Sequence, residues 1–148
     1  SRFVAECEAD ESHVSDKGIR ESFPLVGARS LYGTSKLASE LLVEEYGGSF
    51  GLRTIVNRCG VVSGPGQFGK QDQGFVSYFA AQYLWGSRLE FRGFSGSGKQ
   101  VRDVLHIDDL AAAILMQCRD FGRFSGNVFN LSGGRRVEKS ERGFDIRY

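Results

Sequence analysis

A chain of 148 residues with a formal net charge of +1 and 25% charged residues has no excess of one sign to draw it to nucleic acid or to a membrane surface. Its 41% hydrophobic content and 20 glycines are ordinary for a folded domain with enough length to bury a core. Cys7, Cys59 and Cys118 stand far apart, with no Cys-x-x-Cys and no His-rich cluster, so neither a disulfide framework nor a zinc site is indicated and a reducing compartment, the cytoplasm, is expected. No apolar run reaches the about 18 residues of a spanning helix, and no signal peptide is recognisable.

Ser1-Arg2-Phe3-Val4 carries no initiator Met and reads as a strand already under way to Glu6, so the chain is expected to be a piece of a longer protein. Cys7 to Val26 is polar, lacks periodicity and contains Pro24, which predicts a long loop. Arg29 to about Tyr46 predicts a helix with Leu37, Leu41 and Leu42 on one face, closed by Gly47-Gly48. Leu52 to Arg58 is a β-branched run and predicts a strand; Val61 to Gly66 is expected to turn the chain. Strand, helix, strand in this order implies a βαβ unit, hence an α/β fold with a parallel sheet and a right-handed crossover.

Gln67 to Gly74 is polar and punctuated by glycine. Phe75 to Trp85 predicts a helix, and Leu89–Arg92 and Val101–Leu105 alternate like short strands. Asp108 or Asp109 can cap a helix burying Leu110, Ile114 and Leu115 and running to about Cys118. Asn127 to Leu131 is the last predicted strand, followed by Gly133-Gly134. The tail from Arg135 is charged and aperiodic, and no internal repeat is present.

The stretch with the most chemical content is Tyr32-Gly33-Thr34-Ser35-Lys36-Leu37-Ala38-Ser39-Glu40. Tyr32 and Lys36 are four apart, which on a helix puts one above the other. An ammonium beside a phenol favours its ionised form and equips it to exchange a proton with an alcohol near neutral pH. A second motif, Gly93-Phe94-Ser95-Gly96-Ser97-Gly98-Lys99-Gln100, has the Gly-x4-Gly-Lys of a phosphate-cradling loop. Gln100 stands where that loop needs a magnesium-ligating hydroxyl, and the strand-like Val101-Arg102-Asp103-Val104 follows where a helix should open, so a nucleotide triphosphatase is not indicated.

The Tyr32–Glu40 stretch resembles the active-site helix of the extended short-chain dehydrogenase/reductases, the NAD-dependent sugar epimerases and dehydratases. The resemblance covers Ser1 to about Arg135. Arg58 to Pro65 is similar to that family's Arg-x-x-Asn-Val-Tyr-Gly-Pro run beside nicotinamide and substrate, with Val61 and Ser63 in place of the Asn and Tyr. Gly98 to Leu110 resembles its Gly-x-x-x-Arg-Asp-aromatic-x-His-Val-x-Asp-Leu segment, and Asn130 with Gly133-Gly134 its last strand and turn. Gly64 to Gly74, a Gly-Pro-x-Gln-x-Gly-Lys-x-Asp-Gln-Gly run, looks most like the CDP-paratose (CDP-tyvelose) 2-epimerase branch.

This resemblance implies part of a Rossmann-type doubly wound parallel sheet (residues 1–66) and a portion of a smaller substrate domain (67–148) that partly returns to the sheet. It implies Tyr32 as proton donor and acceptor and Lys36 as holder of the nicotinamide ribose. Cys59, Gly60 and Val62 are implied to line NAD, and Gln67, Lys70, Gln73 and Arg102 to bind the nucleotide sugar, with Arg102 on its diphosphate. No metal is implied; the expected partner is a CDP-linked dideoxyhexose, and a homo-oligomer is left open. The glycine motif for the cofactor pyrophosphate is not in the sequence. The family's catalytic Ser/Thr registers one residue before Ser1, which leaves Ser1 a weak stand-in. Epimerisation at C2 through a 2-keto sugar follows from this resemblance. A nucleotide-sugar 4-epimerase, a 4,6-dehydratase and a non-catalytic binding protein of the same fold are its rivals.

Overall fold

The computed structural model describes residues 13–15, 18–70, 73–89 and 102–134. The elements in chain order are β1 (Val14–Ser15), β2 (Gly18–Ile19), α1 (Leu31–Phe50), β3 (Ile55–Cys59), β4 (Val61–Ser63), α2 (Phe75–Leu84), β5 (Val104–His106), α3 (Ile107–Arg119), α4 (Phe121–Phe124) and β6 (Asn127–Leu131). They fall into two units. One takes the described residues up to Arg58 together with Gly122–Asn130, and the other takes Cys59–Phe121 and the described residues from Leu131 onward.

In the first unit, β1 and β2 pair antiparallel, Val14 opposite Ile19 and Ser15 opposite Gly18. The stretch expected to be a plain loop therefore holds a short antiparallel strand pair. The loop expectation holds from Arg20 to Val26, which carries no helix or strand, and the helix expected from Arg29 starts at Leu31.

Ser30 caps α1, its hydroxyl accepting from the Gly33 N–H at 3.1 Å. The helix runs through Gly47 and Gly48 instead of closing there. A glycine inside a helix costs only about 1 kcal/mol relative to alanine, so a pair of them weakens a long helix without ending it. The end comes at Gly51, in the left-handed region (φ 66°), whose N–H bonds the Gly47 carbonyl at 3.1 Å. Gly33, Leu37, Glu40, Val43 and Gly47 form the half-buried stripe of α1, while Leu41 and Leu42 are more than half exposed. β3 lies beside β6 in one sheet. The Gly126 N–H donates to the Thr54 carbonyl at 2.7 Å where the two strands begin. β6 occupies the range its sequence predicts.

In the second unit, β4 and β5 are parallel, with Val61, Val62 and Ser63 opposite Val104, Leu105 and His106. Val61–Ser63, expected as a turn, is a strand because β5, 43 positions further along, supplies its ladder. The parallel pair needs a long crossover, and α2 lies within it. Among the described residues of this unit, Leu105, at 3% exposure, is buried and apolar, and Ser63 and Gln117 are buried and polar. α3 follows β5 with no loop. Its cap is His106, whose Nδ1 accepts from the Asp108 N–H at 3.2 Å, and not Asp108 or Asp109. Starting at Ile107 sets the helix phase so that Leu110, Ala113 and Gln117 are covered, whereas Ile114 and Leu115 are exposed. The strands expected at residues 1–6 and 89–92, and the Gly93–Gln100 loop, fall wholly or largely outside the described residues. No helix among the described residues is long and apolar enough to cross a membrane.

Candidate functional site

Tyr32 sits in the first turn of α1 and Lys36 in the second. The Lys36 Nζ lies over the Tyr32 ring, 5.4 Å from its centroid, and Tyr32 is 72% exposed. Helix spacing puts the two within reach of each other. One turn further, Glu40 faces Arg58 on β3. Arg58 Nε donates to Glu40 Oε2 at 3.1 Å and Nη2 donates to Oε1. Arg58 Nη1 donates to the Glu21 carbonyl oxygen at 2.8 Å. The Glu40 bonds raise the Arg58 pKa further, so the guanidinium is charged at any working pH. Asn130 completes this side of the unit: its N–H donates to Glu21 Oε1 at 2.9 Å and its Nδ2 to the Ile19 carbonyl at 3.0 Å. Glu40 was not among the expected site residues. Its signal in the sequence was the four-residue step from Lys36.

The other seven expected residues lie in the second unit. Cys59 ends β3 on the exposed side, and partial burial pushes its thiol pKa up. Gly60 donates its N–H to the Leu131 carbonyl at 2.8 Å, and a Cβ there would stand 2.5 Å from Asp103 Oδ2. Glycine at 60 thus admits the Asp103 side chain, whose Oδ1 also accepts from the Gly133 N–H at 3.1 Å. Val62 is in β4 and offers its carbonyl to Gln67 Nε2 at 3.1 Å. Gln67 Oε1 accepts from the Ser63 hydroxyl at 3.1 Å and from the Ser77 hydroxyl at 3.0 Å. Lys70 and Gln73 are joined backbone to backbone, N–H to carbonyl in both directions at 2.8 and 3.1 Å. Arg102 is exposed, just before β5. Cys59, Gly60, Val62, Gln67, Lys70 and Gln73 all fall between positions 59 and 73 of the sequence. Ser63 and Asp103, which help hold this stretch, lie inside the Arg58–Pro65 and Gly98–Leu110 motifs but were not named as site residues, and Ser77 lies in no motif.

The donor set at α1 fits a nicotinamide cofactor's ribose. The Lys36 ammonium carries three N–H donors, and its neighbour Glu40 is already engaged on both oxygens by Arg58, so the donors face Tyr32 and not a carboxylate.

Three comparisons bear on this arrangement. The CDP-paratose 2-epimerase of Salmonella typhi is 38% identical over 107 residues, covering 70% of this chain and 31% of that protein. The UDP-glucose 4-epimerase of Azospirillum brasilense is 30% identical over 128 residues, covering 79% and 36%. The crystal structure of dTDP-glucose 4,6-dehydratase from Bacillus anthracis in complex with NAD superimposes with a TM-score of 0.67 at 29% identity, over 81% of this chain and 36% of that one. The chain spans about a third of the length of the curated relatives it matches. The α/β fold with parallel strands expected from the sequence is the Rossmann-type fold of these enzymes. The epimerase family model, described as the NAD dependent epimerase/dehydratase family, matches residues 6–132, and the chain belongs to that family.

Proposed function

We propose that the protein containing this chain epimerises a nucleotide sugar with NAD, inverting C2 of a CDP-linked dideoxyhexose between CDP-paratose and CDP-tyvelose. The observation that carries the reading is the Tyr32–Lys36 pair, stacked on one helix turn with the ammonium over the ring. The 38% identity to a CDP-paratose 2-epimerase and the Gly64–Gly74 run support the sugar.

Tyr32 takes the proton of the sugar hydroxyl as the carbon is oxidised and returns it to the carbonyl oxygen when the carbon is reduced on its other face. Lys36 holds the ribose hydroxyls of the cofactor beside Tyr32. NAD, when bound, supplies the acceptor and donor of the hydride. Cys59, Gly60 and Val62 border the cofactor, Gln67, Lys70 and Gln73 border the sugar, and Arg102 takes the diphosphate with its planar fork. Residues 1–66 belong to the cofactor domain and 67–148 to the substrate region in this reading, and the compartment is the cytoplasm.

The experiment is turnover of CDP-paratose by the intact protein, followed by chromatographic separation of the epimers. Tyr32→Phe should lower turnover about 10²–10⁴-fold while bound NAD is unchanged. Near-wild-type turnover in Tyr32→Phe would remove the residue from the chemistry. A second reading, a nucleotide-sugar 4-epimerase or 4,6-dehydratase, is favoured by the 30% identity to UDP-glucose 4-epimerase. UDP-glucose and dTDP-glucose in the same assay separate it. Absence of turnover on all three sugars would point to a binding protein of this fold.

A further inference from the structure

Tyr32, Lys36 and Glu40 follow one another at four-residue steps along α1, so their side chains rise in one column. Lys36, in the middle, has an aromatic ring one turn before it and a carboxylate one turn after. Coulomb attraction taken alone favours the carboxylate. The ammonium nevertheless lies over the Tyr32 ring. Glu40 is already engaged from its far side. Arg58 closes on both Glu40 oxygens in a fork, and the pair is largely covered, with 25% of the Arg58 side chain and 19% of the Glu40 side chain exposed. A carboxylate held by a guanidinium in this way is neutralised and has its best acceptor directions filled. Arg58 is itself fixed by its bond to the Glu21 carbonyl, so the fork does not swing with the helix surface.

We propose that Arg58 is a positioning residue for the Tyr32–Lys36 pair: by closing on both oxygens of Glu40 it withholds that carboxylate from Lys36 and leaves the ammonium over Tyr32. The inference rests on the reading of Tyr32 and Lys36 as the reacting pair only for its effect on turnover; the placement of Lys36 stands apart from it. Without Arg58, Glu40 becomes a largely covered anion that has lost this partner, and a flexible cation one turn away on its own helix face is Lys36. The ammonium then moves a full turn along α1, away from Tyr32. Removing the Glu40 charge as well takes away the competitor and returns Lys36 to the ring. A residue that only held α1 to β3 would behave in the opposite way, because the double substitution would still lack that tie.

The test uses the intact protein with its lysines reductively ¹³C-dimethylated, which keeps their charge. A methyl group over an aromatic ring is displaced upfield, so the Lys36 signal, identified by its loss in Lys36→Arg, should be upfield in wild type and normal in Tyr32→Leu. Arg58→Gln should lose the displacement, Glu40→Gln should keep it, and Arg58→Gln/Glu40→Gln should regain it. Arg58→Lys, a point charge without the fork, should lose part of it and serves if Arg58→Gln does not fold. Turnover of the same variants, measured before methylation, should fall about 10²-fold in Arg58→Gln, the scale of a misplaced reacting group, and recover in the double variant. An upfield signal that persists in Arg58→Gln and Arg58→Lys, or a folded double variant that fails to regain it, would overturn the inference. If the signals move as stated and no variant, wild type included, turns over a nucleotide sugar, the placement of Lys36 is upheld and the catalytic reading is what fails.

Discussion

Gly69 meets Tyr78 backbone to backbone. A Cβ on Gly69 would stand 2.8 Å from the Tyr78 Cα, closer still to its nitrogen, and 2.5 Å from the Gly74 carbonyl oxygen. That oxygen accepts the Tyr78 N–H at 3.0 Å, the first hydrogen bond of α2. The loop therefore folds onto the start of the helix it precedes, and backbone atoms on both sides leave no side chain free to yield. Gly69→Ala should destabilise the intact protein by about 1–3 kcal/mol, the range for overpacking. Its effect should show as a lowered denaturant midpoint. An unchanged midpoint would mean the loop moves away from α2 at little cost.

Glu21 gives a pH dependence whose sign is fixed. Its carboxylate accepts from the Asn130 N–H and from its own backbone N–H, with Arg58 nearby, and these hold its pKa below the ordinary glutamate value. The native state thus binds this proton less readily than the unfolded chain. The stability it contributes is present above the ordinary glutamate pKa and is lost as pH falls through the depressed native value. The size is small because the group is open to solvent. Carboxyl NMR should find Glu21 titrating below the ordinary glutamate value, and Glu21→Gln should flatten the acid limb of the stability curve.

The Cys59 thiol has the opposite sign. Burial pushes its pKa up, so the native state holds this proton more tightly than the unfolded chain. The corresponding stability is present below the ordinary thiol pKa and disappears as pH rises through the raised one. Alkylation needs the thiolate, so the rate of iodoacetamide labelling at Cys59, followed by mass spectrometry, should inflect above the ordinary thiol value. An inflection below it would indicate a cation close to the sulfur.

What the sequence made legible was local. Tyr32 and Lys36 could be paired from spacing, because four residues make one turn wherever a helix forms. Asn127–Leu131 could be read as a strand from its own residues. The end of α1 could not, since Gly47, Gly48 and Gly51 look alike until one of them adopts the left-handed backbone. β4 was hidden because three residues between two glycines become a strand only when Val104–His106 arrives beside them. The covered face of α3 was misjudged because apolar Leu115 is exposed and polar Gln117 buried, a choice set by where β5 hands over to the helix. Glu40 and Arg58 are eighteen positions apart, and nothing in either one's surroundings names the other.

The last prediction concerns Gln67. The resemblance that assigns it to the sugar says nothing of its partners, and the structure gives it three within the chain. Both acceptor positions of its amide oxygen are used, by the Ser63 and Ser77 hydroxyls, and one N–H goes to the Val62 carbonyl. Ser63 ends β4 and is 7% exposed, and Ser77 is in the first turn of α2, so the amide ties strand to helix across the intervening loop. The second N–H is the donor a sugar contact would use. Gln67→Ala leaves the buried Ser63 hydroxyl without this acceptor, which should cost about 1–3 kcal/mol of stability. Gln67→Glu keeps acceptors for both serines but sets an anion against the Val62 carbonyl, and should recover only part of the loss. A double-mutant cycle with Ser77→Ala should show a coupling of about 0.5 kcal/mol or more, as expected for residues in one network. The discriminating measurement sets chemical denaturation beside KM for the nucleotide sugar. A stability loss with the stated coupling marks Gln67 as the tie. A raised KM in Gln67→Ala with undiminished stability and no coupling to Ser77 would mean that the three bonds contribute little and that the residue serves the sugar alone.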